Sequence, residues 1–469
     1  MKLQKYDLAI VGAGSAGLIA ADFAAKLGAR VALLERDRIG GDCTWTGCVP
    51  SKSLLRVAKT AHDMRTAARF GIEQHEPVVD MPQVRMYLQS TIHQIYQGTT
   101  PEALRKKRID VIFGATSFVD PRTLAVGDVQ IRAKKTLIAT GAAPVIPDVP
   151  GLHDVAFSTY REIFDNERLP QRMAVIGGGP VGVEIAQAYQ RLGTQVTIFA
   201  EHVLPKEEPD ASAIVLRVLQ REGVRIVAER VTSVAQTGDR ITVRSEGSHV
   251  ECDLLFVAAG RRPVLAGLNL AAAGVTFSEH GIEVNEHLQT STKGIFAAGD
   301  VLGGQQFSHF AGWQGFQAAR NALLPGKSSG FSSAMPRVTF CDPEVAQVGL
   351  TEAQARASHD KDVVAVSWPI EREDRAVCDD DRDGMLKIVT GRNGTILGAT
   401  IVAHRSGETI TEIVLAMQRK LKIADLAATI HPYPSYSTGI QLLATEMAVD
   451  HALSGIGGKL IRAASKFTR

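Results

Sequence analysis

The feature that most restricts how this chain can fold is a pattern that occurs twice: apolar strand, glycine turn, helix, apolar strand. The first copy runs Leu8-Ala9-Ile10-Val11, then Gly12-Ala13-Gly14-Ser15-Ala16-Gly17, an alanine-rich helix, and Val31-Ala32-Leu33-Leu34 ending at Glu35. The second runs Met173-Ala174-Val175-Ile176, then Gly177-Gly178-Gly179-Pro180-Val181-Gly182, a helix, and Val196-Thr197-Ile198-Phe199. Strand, turn, helix and strand in that order build a doubly wound parallel sheet, because parallel neighbours need a crossover helix. Gly12 permits the tight turn, Gly14 lets backbone approach a pyrophosphate, and Gly17 lets the helix pack close to the strand. Gly177, Gly179 and Gly182 hold the same places in the second copy. A lone GxGxxG can be a tight turn with no ligand. Glu35, 23 positions after Gly12, argues against that here, since a carboxylate ending the second strand accepts hydrogen bonds from a ribose diol.

Three further apolar runs end in small residues and predict strands returning to these sheets: Thr136-Leu137-Ile138-Ala139-Thr140-Gly141, Leu254-Leu255-Phe256-Val257-Ala258-Ala259-Gly260, and Gly294-Ile295-Phe296-Ala297-Ala298-Gly299-Asp300. A Pro/Gly-rich stretch at 144–151 reads as a linker. A second, at 325–336, precedes alternating strands and a helix near Glu408 to Lys420. The fold class is therefore α/β, with two Rossmann-like nucleotide domains and a C-terminal α+β domain. The expected boundaries are 1–147 for the first nucleotide domain and 148–275 for the second. Residues 276–334 return to complete the first, and 335–469 form the last domain.

With 52 Lys and Arg against 50 Asp and Glu, and a net charge of +2, nothing points to nucleic acid as a partner. No run reaches the roughly 20 apolar residues of a membrane helix. The basic tail at 457–469 reads as a solvated helix end, and the N-terminus has no secretory apolar segment. Five cysteines do not make a disulfide framework, so a cytoplasmic protein is expected, in which any disulfide is catalytic.

Two nucleotide sites in one chain imply electron transfer between two cofactors. In the second copy the position equivalent to Glu35 is Ala200, followed by Glu201. No arginine lies in this stretch to clamp a 2′-phosphate, and only His202 and Lys206 are nearby cations. Glu201 should repel that phosphate, so NADH is expected to be favoured over NADPH.

The sharpest local signal is Gly40-Gly41-Asp42-Cys43-Thr44-Trp45-Thr46-Gly47-Cys48-Val49-Pro50-Ser51-Lys52. Two cysteines five apart can meet if a bent helical turn joins them, and Gly47 eases that bend. The segment follows the strand ending at Glu35, so it can cross the far end of a cofactor bound there. A dithiol in that place can exchange electrons with a flavin and then attack a disulfide or a metal ion. The CxxC pairs of a zinc site are absent, and no metal site is expected. Two unpaired structural thiols would have the same spacing.

This segment resembles the redox-active stretch of the flavoprotein pyridine nucleotide–disulfide oxidoreductases, which include dihydrolipoamide dehydrogenase, glutathione reductase and mercuric reductase. It matches their GG-x-C-x4-C-[VI]-P-[ST]-K pattern. The resemblance covers essentially the whole chain. It includes Gly141, Gly260-Arg261-Arg262-Pro263, Gly299-Asp300, and Asp342-Pro343-Glu344-Val345-Ala346-Gln347-Val348-Gly349-Leu350. It implies an FAD homodimer fed by NADH or NADPH, with a redox disulfide between Cys43 and Cys48. Cys48 is then the thiol next to the flavin and Cys43 the interchange thiol. Lys52 sits near the flavin in an ion pair with Glu184, Gly41 lies in the cofactor-binding segment, Asp300 binds the ribityl chain, and Gly260 and Arg261 lie beside the nicotinamide nucleotide. Without the resemblance, Glu184 reads as an ordinary solvated helix carboxylate. Cys252, Cys341 and Cys378 match no redox position.

The chain departs from the family near its end. Dihydrolipoamide and glutathione reductases carry His-Pro-Thr-x-x-Glu there, an acid–base histidine serving the partner subunit. Here the stretch is His431-Pro432-Tyr433-Pro434-Ser435-Tyr436-Ser437-Thr438. Counted from His431, the Glu position is Tyr436. Aligned on Pro434, Tyr433 replaces the histidine and Thr438 the Glu. Neither frame contains a His–Glu dyad. Tyrosine at this place resembles mercuric reductase, although a C-terminal cysteine pair and an N-terminal metal-trapping domain are not expected here. Aromatic packing at a dimer interface would account equally for Tyr433 and Tyr436. The expected acceptor is a soft metal ion, with mercuric ion foremost, or another thiol-reactive small molecule. The alternatives are dihydrolipoamide-type dithiol oxidation, quinone reduction by the flavin, and a non-catalytic redox scaffold.

Overall fold

The computed structural model describes residues 3–359 and 362–454, with 458, 460 and 462–465. The described part of the basic tail is helical, and the rest of it lies outside these residues. Contacts divide the chain into two units, one made of Met1–Gly177, Ala188–Phe199 and Glu229–Ser332, the other of Gly178–Gln187, Ala200–Ala228 and Ser333–Arg469. No described helix is long and apolar enough to cross a membrane.

The first unit is built on β1 (Leu3–Val11), α1 (Ser15–Lys26), β2 (Val31–Glu35), α2 (Gly41–Trp45), α3 (Cys48–Thr66), α4 (Met81–Tyr96), β3 (Ile109–Phe113), β4 (Thr116–Asp120), β5 (Thr123–Val126) and β6 (Val129–Ile138). Its sheet has the order β3-β2-β1-β6-β5-β4. The β1, β2, β3 and β6 neighbours are parallel. Leu8, Ile10 and Leu33 are fully buried, which is why these strands read as unbroken apolar runs with no polar face. Each such side chain stabilises by ~1.5–3 kcal/mol relative to exposure.

Further along the unit come β7 (Arg172–Ile176), α5 (Pro180–Leu192, which enters the other unit), β8 (Gln195–Phe199), β9 (Leu254–Val257), β10 (Ile295–Ala297) and α6 (Ser308–Leu323). All three return strands rejoin these two sheets. Thr136–Ile138 belongs to β6 beside β1, β9 pairs parallel with β7, and β10 pairs parallel with β6. Helix α1 buries only Ala16, Gly17, Ala20, Ala21 and Ala24, and small residues let α6 come close. A side chain at Gly315 would strike the backbone of Ala16. This contact sets the first turn of α1 against the middle of α6.

The second unit carries an antiparallel sheet: β11 (Arg337–Thr339), β12 (Glu344–Gly349), β13 (Val363–Pro369), β14 (Met385–Gly391) and β15 (Ile396–Ala403), in the order β11-β12-β15-β14-β13. Helices α7 (Asp374–Cys378), α8 (Ser406–Gln418) and α9 (Tyr436–Leu453) follow the chain around it. Ile388 and Ile401 of the sheet, Ile410 and Ile413 of α8, and Ile440 and Leu443 of α9 share one core. The loop carrying His431 and Tyr433 thus leads into α9, a helix anchored in that core.

Candidate active site

The first glycine turn leaves no room for a side chain at Gly12 or Gly17. Gly12 has φ +105°, and a Cβ there would meet the carbonyl oxygen of Ala139; a Cβ on Gly17 would meet that of Gly12. The cysteine segment lies directly against this turn. Gly40 N donates to Ala13 O at 2.8 Å, and a Cβ on Gly41 (φ +59°) would stand 2.9 Å from Gly14 Cα. Glu35 faces the same turn: its carboxylate accepts from Ala13 N and Asp37 N, each at 2.8 Å. Each oxygen keeps a second lone pair.

The bend expected at Gly47 is present. Helix α2 ends at Trp45, α3 begins at Cys48, and a Cβ on Gly47 would lie 2.9 Å from Asp42 O. Cys43 and Cys48 are thiols in this structure and hydrogen-bond to each other. Ser308, the first residue of α6, stands with its hydroxyl 3.2 Å from Cys48 Sγ. The Cys43 thiol is pushed up, chiefly by its bond to Cys48 and then by burial, while the hydroxyls of Ser308 and Ser15 pull it down. Cys48 occupies the first turn of a helix 19 residues long, where backbone N–H groups favour a thiolate. Lys52 follows one turn later, half-buried.

Beside the cysteines lies a charged network that fixed-offset reading did not reveal. Arg261 donates to Asp300 Oδ2 at 2.7 Å and to Asp42 Oδ2 at 3.1 Å. Tyr160 OH donates to the same Asp42 oxygen at 2.8 Å. Burial pushes the Asp300 carboxyl up; Arg261 opposes the shift and Asp42 adds to it. The buried Nε of Arg261 has no partner among the described residues. Gly141 and Gly260 both take positive φ, +71° and +126°. The peptide of Gly141 is tied to Val264 N at 3.0 Å.

At the second glycine turn, Gly177 has φ +119° and a Cβ there would meet Ala258 O; Gly179 has open space around it, and Gly182 lies in α5. Glu201 is exposed. An arginine does reach the stretch that follows: Arg337 binds Glu207 at 3.0 and 3.1 Å and donates to Lys206 O at 2.8 Å. The sequence reading missed it because it arrives from 130 positions away. Glu207 occupies its guanidinium. Glu184 is not a solvated carboxylate: it is 5% exposed and accepts from Phe340 N at 2.8 Å.

In the C-terminal loop, His431 and Tyr433 go to different partners. His431 Nε2 lies 2.8 and 2.9 Å from the Glu412 oxygens, and Nδ1 lies 3.0 Å from Thr429 O. A histidine–carboxylate pair therefore exists, supplied by α8 rather than by the loop in which the sequence pattern sought it. Tyr433 is 71% exposed, and its OH donates to Asp374 at 2.7 Å, a bond that pushes the phenol up. Thr438, at the other candidate Glu position, accepts from Ser435 N at 3.3 Å and caps α9. Tyr436 is buried against His404 and donates to Asp379 at 3.2 Å. Cys252 and Cys341 are buried and Cys378 is exposed, all as free thiols.

Residues 6–323 match the family described as pyridine nucleotide-disulphide oxidoreductase, and 335–444 match its dimerisation domain. The chain is a pyridine nucleotide-disulphide oxidoreductase. It is 36% identical over 454 residues to mercuric reductase of Shewanella putrefaciens, covering 94% of this chain and 81% of that protein. It is 34% identical over 450 residues to dihydrolipoyl dehydrogenase of Thermus scotoductus, covering 93% and 96%. Its fold matches the HOCl-induced flavoprotein disulfide reductase RclA of Escherichia coli with TM-score 0.85 and 29% identity, over 94% of this chain and 99% of that one. RclA is also solved as a Cu(II) complex. Oxidoreductases of this family are FAD-dependent, with NAD(P)H as electron donor.

Proposed function

We propose that this oxidoreductase passes electrons from NADH through FAD to a Cys43–Cys48 disulfide, and from Cys43 to a soft metal ion, with mercuric ion the foremost candidate. The observation that carries the acceptor class is the C-terminal loop. The His431 side chain is only 5% exposed, with its nitrogens turned to Glu412 and Thr429 O. The group presented to solvent is the phenol of Tyr433. Disulfide exchange needs a base that titrates near neutrality, whereas capture of a metal ion by two thiolates needs no proton for a leaving thiol. Relatives named mercuric reductase, and a Cu(II) complex of RclA, support the same class.

The residues present fit the cofactors. A glycine cradle at Gly12, Gly14, Gly17 and Gly41 and the first turn of α1 would hold a pyrophosphate, and Glu35 the adenosine ribose. Asp300 would accept from ribityl hydroxyls, with Gly141 beside it. The unpaired Nε of Arg261 is a buried donor suited to a polar ligand. Gly177, Gly179, Gly182, Gly260 and Arg261 would line the nicotinamide nucleotide, with Glu201 at its ribose. FAD, when bound, relays electrons from a hydride donor to cysteine sulfur. Lys52 would balance negative charge there. The helix start at Cys48 and the hydroxyl of Ser308 favour its thiolate, leaving Cys43 to meet the acceptor. On this reading 1–147 with 276–334 bind FAD, 148–275 bind the nicotinamide nucleotide, and 335–469 form a homodimer contact. Exposed Ile430, Leu415 and Leu442 support that contact. A cytoplasmic location belongs to the same proposal.

Rapid mixing of the NADH-reduced enzyme with mercuric ion, lipoamide, glutathione disulfide and quinones tests the acceptor. Fastest reoxidation by mercuric ion is expected, and faster turnover with lipoamide would transfer the protein to the dehydrogenase reading. For the donor, Glu201 stands against a 2′-phosphate and Arg337 is held by Glu207. The kcat/KM with NADH should therefore exceed that with NADPH. A clear NADPH preference would mean that His202, Lys206 or a released Arg337 carries the phosphate.

A further inference from the structure

Helix α2, which carries Cys43, has little to hold it in place. It is five residues long, buries no side chain fully, and has no side-chain cap. Isolated helices of this length do not persist, because nucleation costs more than so few hydrogen bonds return. Glycines flank it: Gly40 precedes it and Gly41 begins it, both with positive φ, and Gly47 follows it. A chain so free in its backbone keeps one conformation only through contacts made by its side chains.

Two side chains of α2 reach out. Trp45 Nε1 donates to Ile39 O at 2.8 Å, and its ring packs against Tyr96 and His93. Asp42, one residue before Cys43, makes the charged contacts. Its Oδ2 accepts from Tyr160 OH at 2.8 Å and Arg261 at 3.1 Å. Arg261 in turn donates to Asp300 at 2.7 Å and stands over the Tyr160 ring at 5.3 Å. Arg261 is only 24% exposed and Asp300 13%, so these charge-assisted bonds are largely shielded from water and stronger than surface pairs.

We propose that Asp42, gripped by Arg261 and Tyr160, is a positioning residue that fixes the Cys43 turn relative to Cys48 and to Asp300. This rests on the reading of Cys43 and Cys48 as the redox pair and adds what keeps their sulfurs within bonding reach. Ring closure is written as dithiol plus glutathione disulfide giving the Cys43–Cys48 disulfide plus two glutathione. One S–S bond forms, one breaks, two electrons pass to glutathione, and the two thiol protons end on its sulfurs. The equilibrium constant reports the effective concentration of one cysteine at the other, which a slack α2 lowers.

The test is that constant, measured on the FAD-loaded enzyme in glutathione buffers by thiol alkylation and mass spectrometry. Asp42→Asn should lower it by about tenfold, the loss of one charge-assisted tether. Tyr160→Phe should lower it less, and Asp42→Asn combined with Arg261→Met no further than Asp42→Asn alone. Melting temperature should be unchanged in Asp42→Asn and Tyr160→Phe. Arg261→Met, which frees Asp300 as well, should also weaken FAD retention, whereas Asp42→Asn should not. A constant within twofold of wild type in both Asp42→Asn and Tyr160→Phe overturns the proposal. If Asp42→Asn does not fold, Tyr160→Phe alone decides it. A wild-type enzyme that forms no Cys43–Cys48 disulfide in any buffer overturns the redox-pair reading, and this proposal with it.

Discussion

Cys43→Ser and Cys48→Ser should each lower steady-state acceptor reduction by more than about 10³-fold, the scale on which removal of a reacting nucleophile is felt. Flavin reduction by NADH should remain fast in both, because neither sulfur takes part in hydride delivery. The two variants should differ in colour. A thiolate next to oxidised flavin donates charge to it and gives a long-wavelength absorbance. Cys48→Ser should lack that band at every level of reduction. Cys43→Ser should show it without any reductant, since Cys48 can no longer be tied up in a disulfide and sits at the start of α3, where a thiolate is favoured. Wild-type spectra and full activity in both variants would remove the disulfide from the mechanism.

The second large effect concerns the C-terminal loop. A histidine titrates near pH 6.5 and a tyrosine near 10, and the Tyr433 phenol is pushed further up by its bond to Asp374. It therefore donates a proton at neutral pH but does not accept one. Turnover with dihydrolipoamide or glutathione disulfide should be weak, on the order of 10²–10⁴-fold below that of an enzyme with a placed base. Tyr433→Phe should slow metal-ion reduction while sparing reduction by NADH. His431→Ala should do little to acceptor chemistry, since its ring is occupied by Glu412 and Thr429. Stopped-flow traces of the two half-reactions separate the cases. Robust lipoamide activity that His431→Ala removes and Tyr433→Phe leaves intact would make His431 the base.

What was legible in the sequence is what depends on near neighbours or on a face buried throughout. The strands at Leu8–Val11 and Met173–Ile176 are continuous apolar runs because both sheet faces are covered, and Gly12, Gly17 and Gly177 stand where a Cβ would strike backbone. Gly47 was expected to bend the chain between the cysteines, and it does. Partners brought by the fold were not legible. Asp42 lies inside the motif, yet nothing near it announces Arg261, 219 positions on, or Tyr160, 118 positions on. Ser308 reaches Cys48 only because small residues let α6 press against α1. The absence of a carboxylate in the loop after His431 suggested that the histidine had no acidic partner. Glu412 supplies one from α8, 19 positions earlier. Motif offsets report local geometry, and a side chain arriving from another element leaves no trace in them.

Electrons from the nicotinamide are expected to arrive at Cys43 and Cys48. Anaerobic titration of the oxidised enzyme with NADH, quenched with an alkylating agent and read by peptide mass spectrometry, tests it most directly. Both cysteines should be blocked before NADH is added and both labelled after one equivalent, with Cys252, Cys341 and Cys378 unchanged by the titration. Flavin that bleaches while Cys43 and Cys48 stay unlabelled, or cysteines already free in the oxidised enzyme, would contradict it.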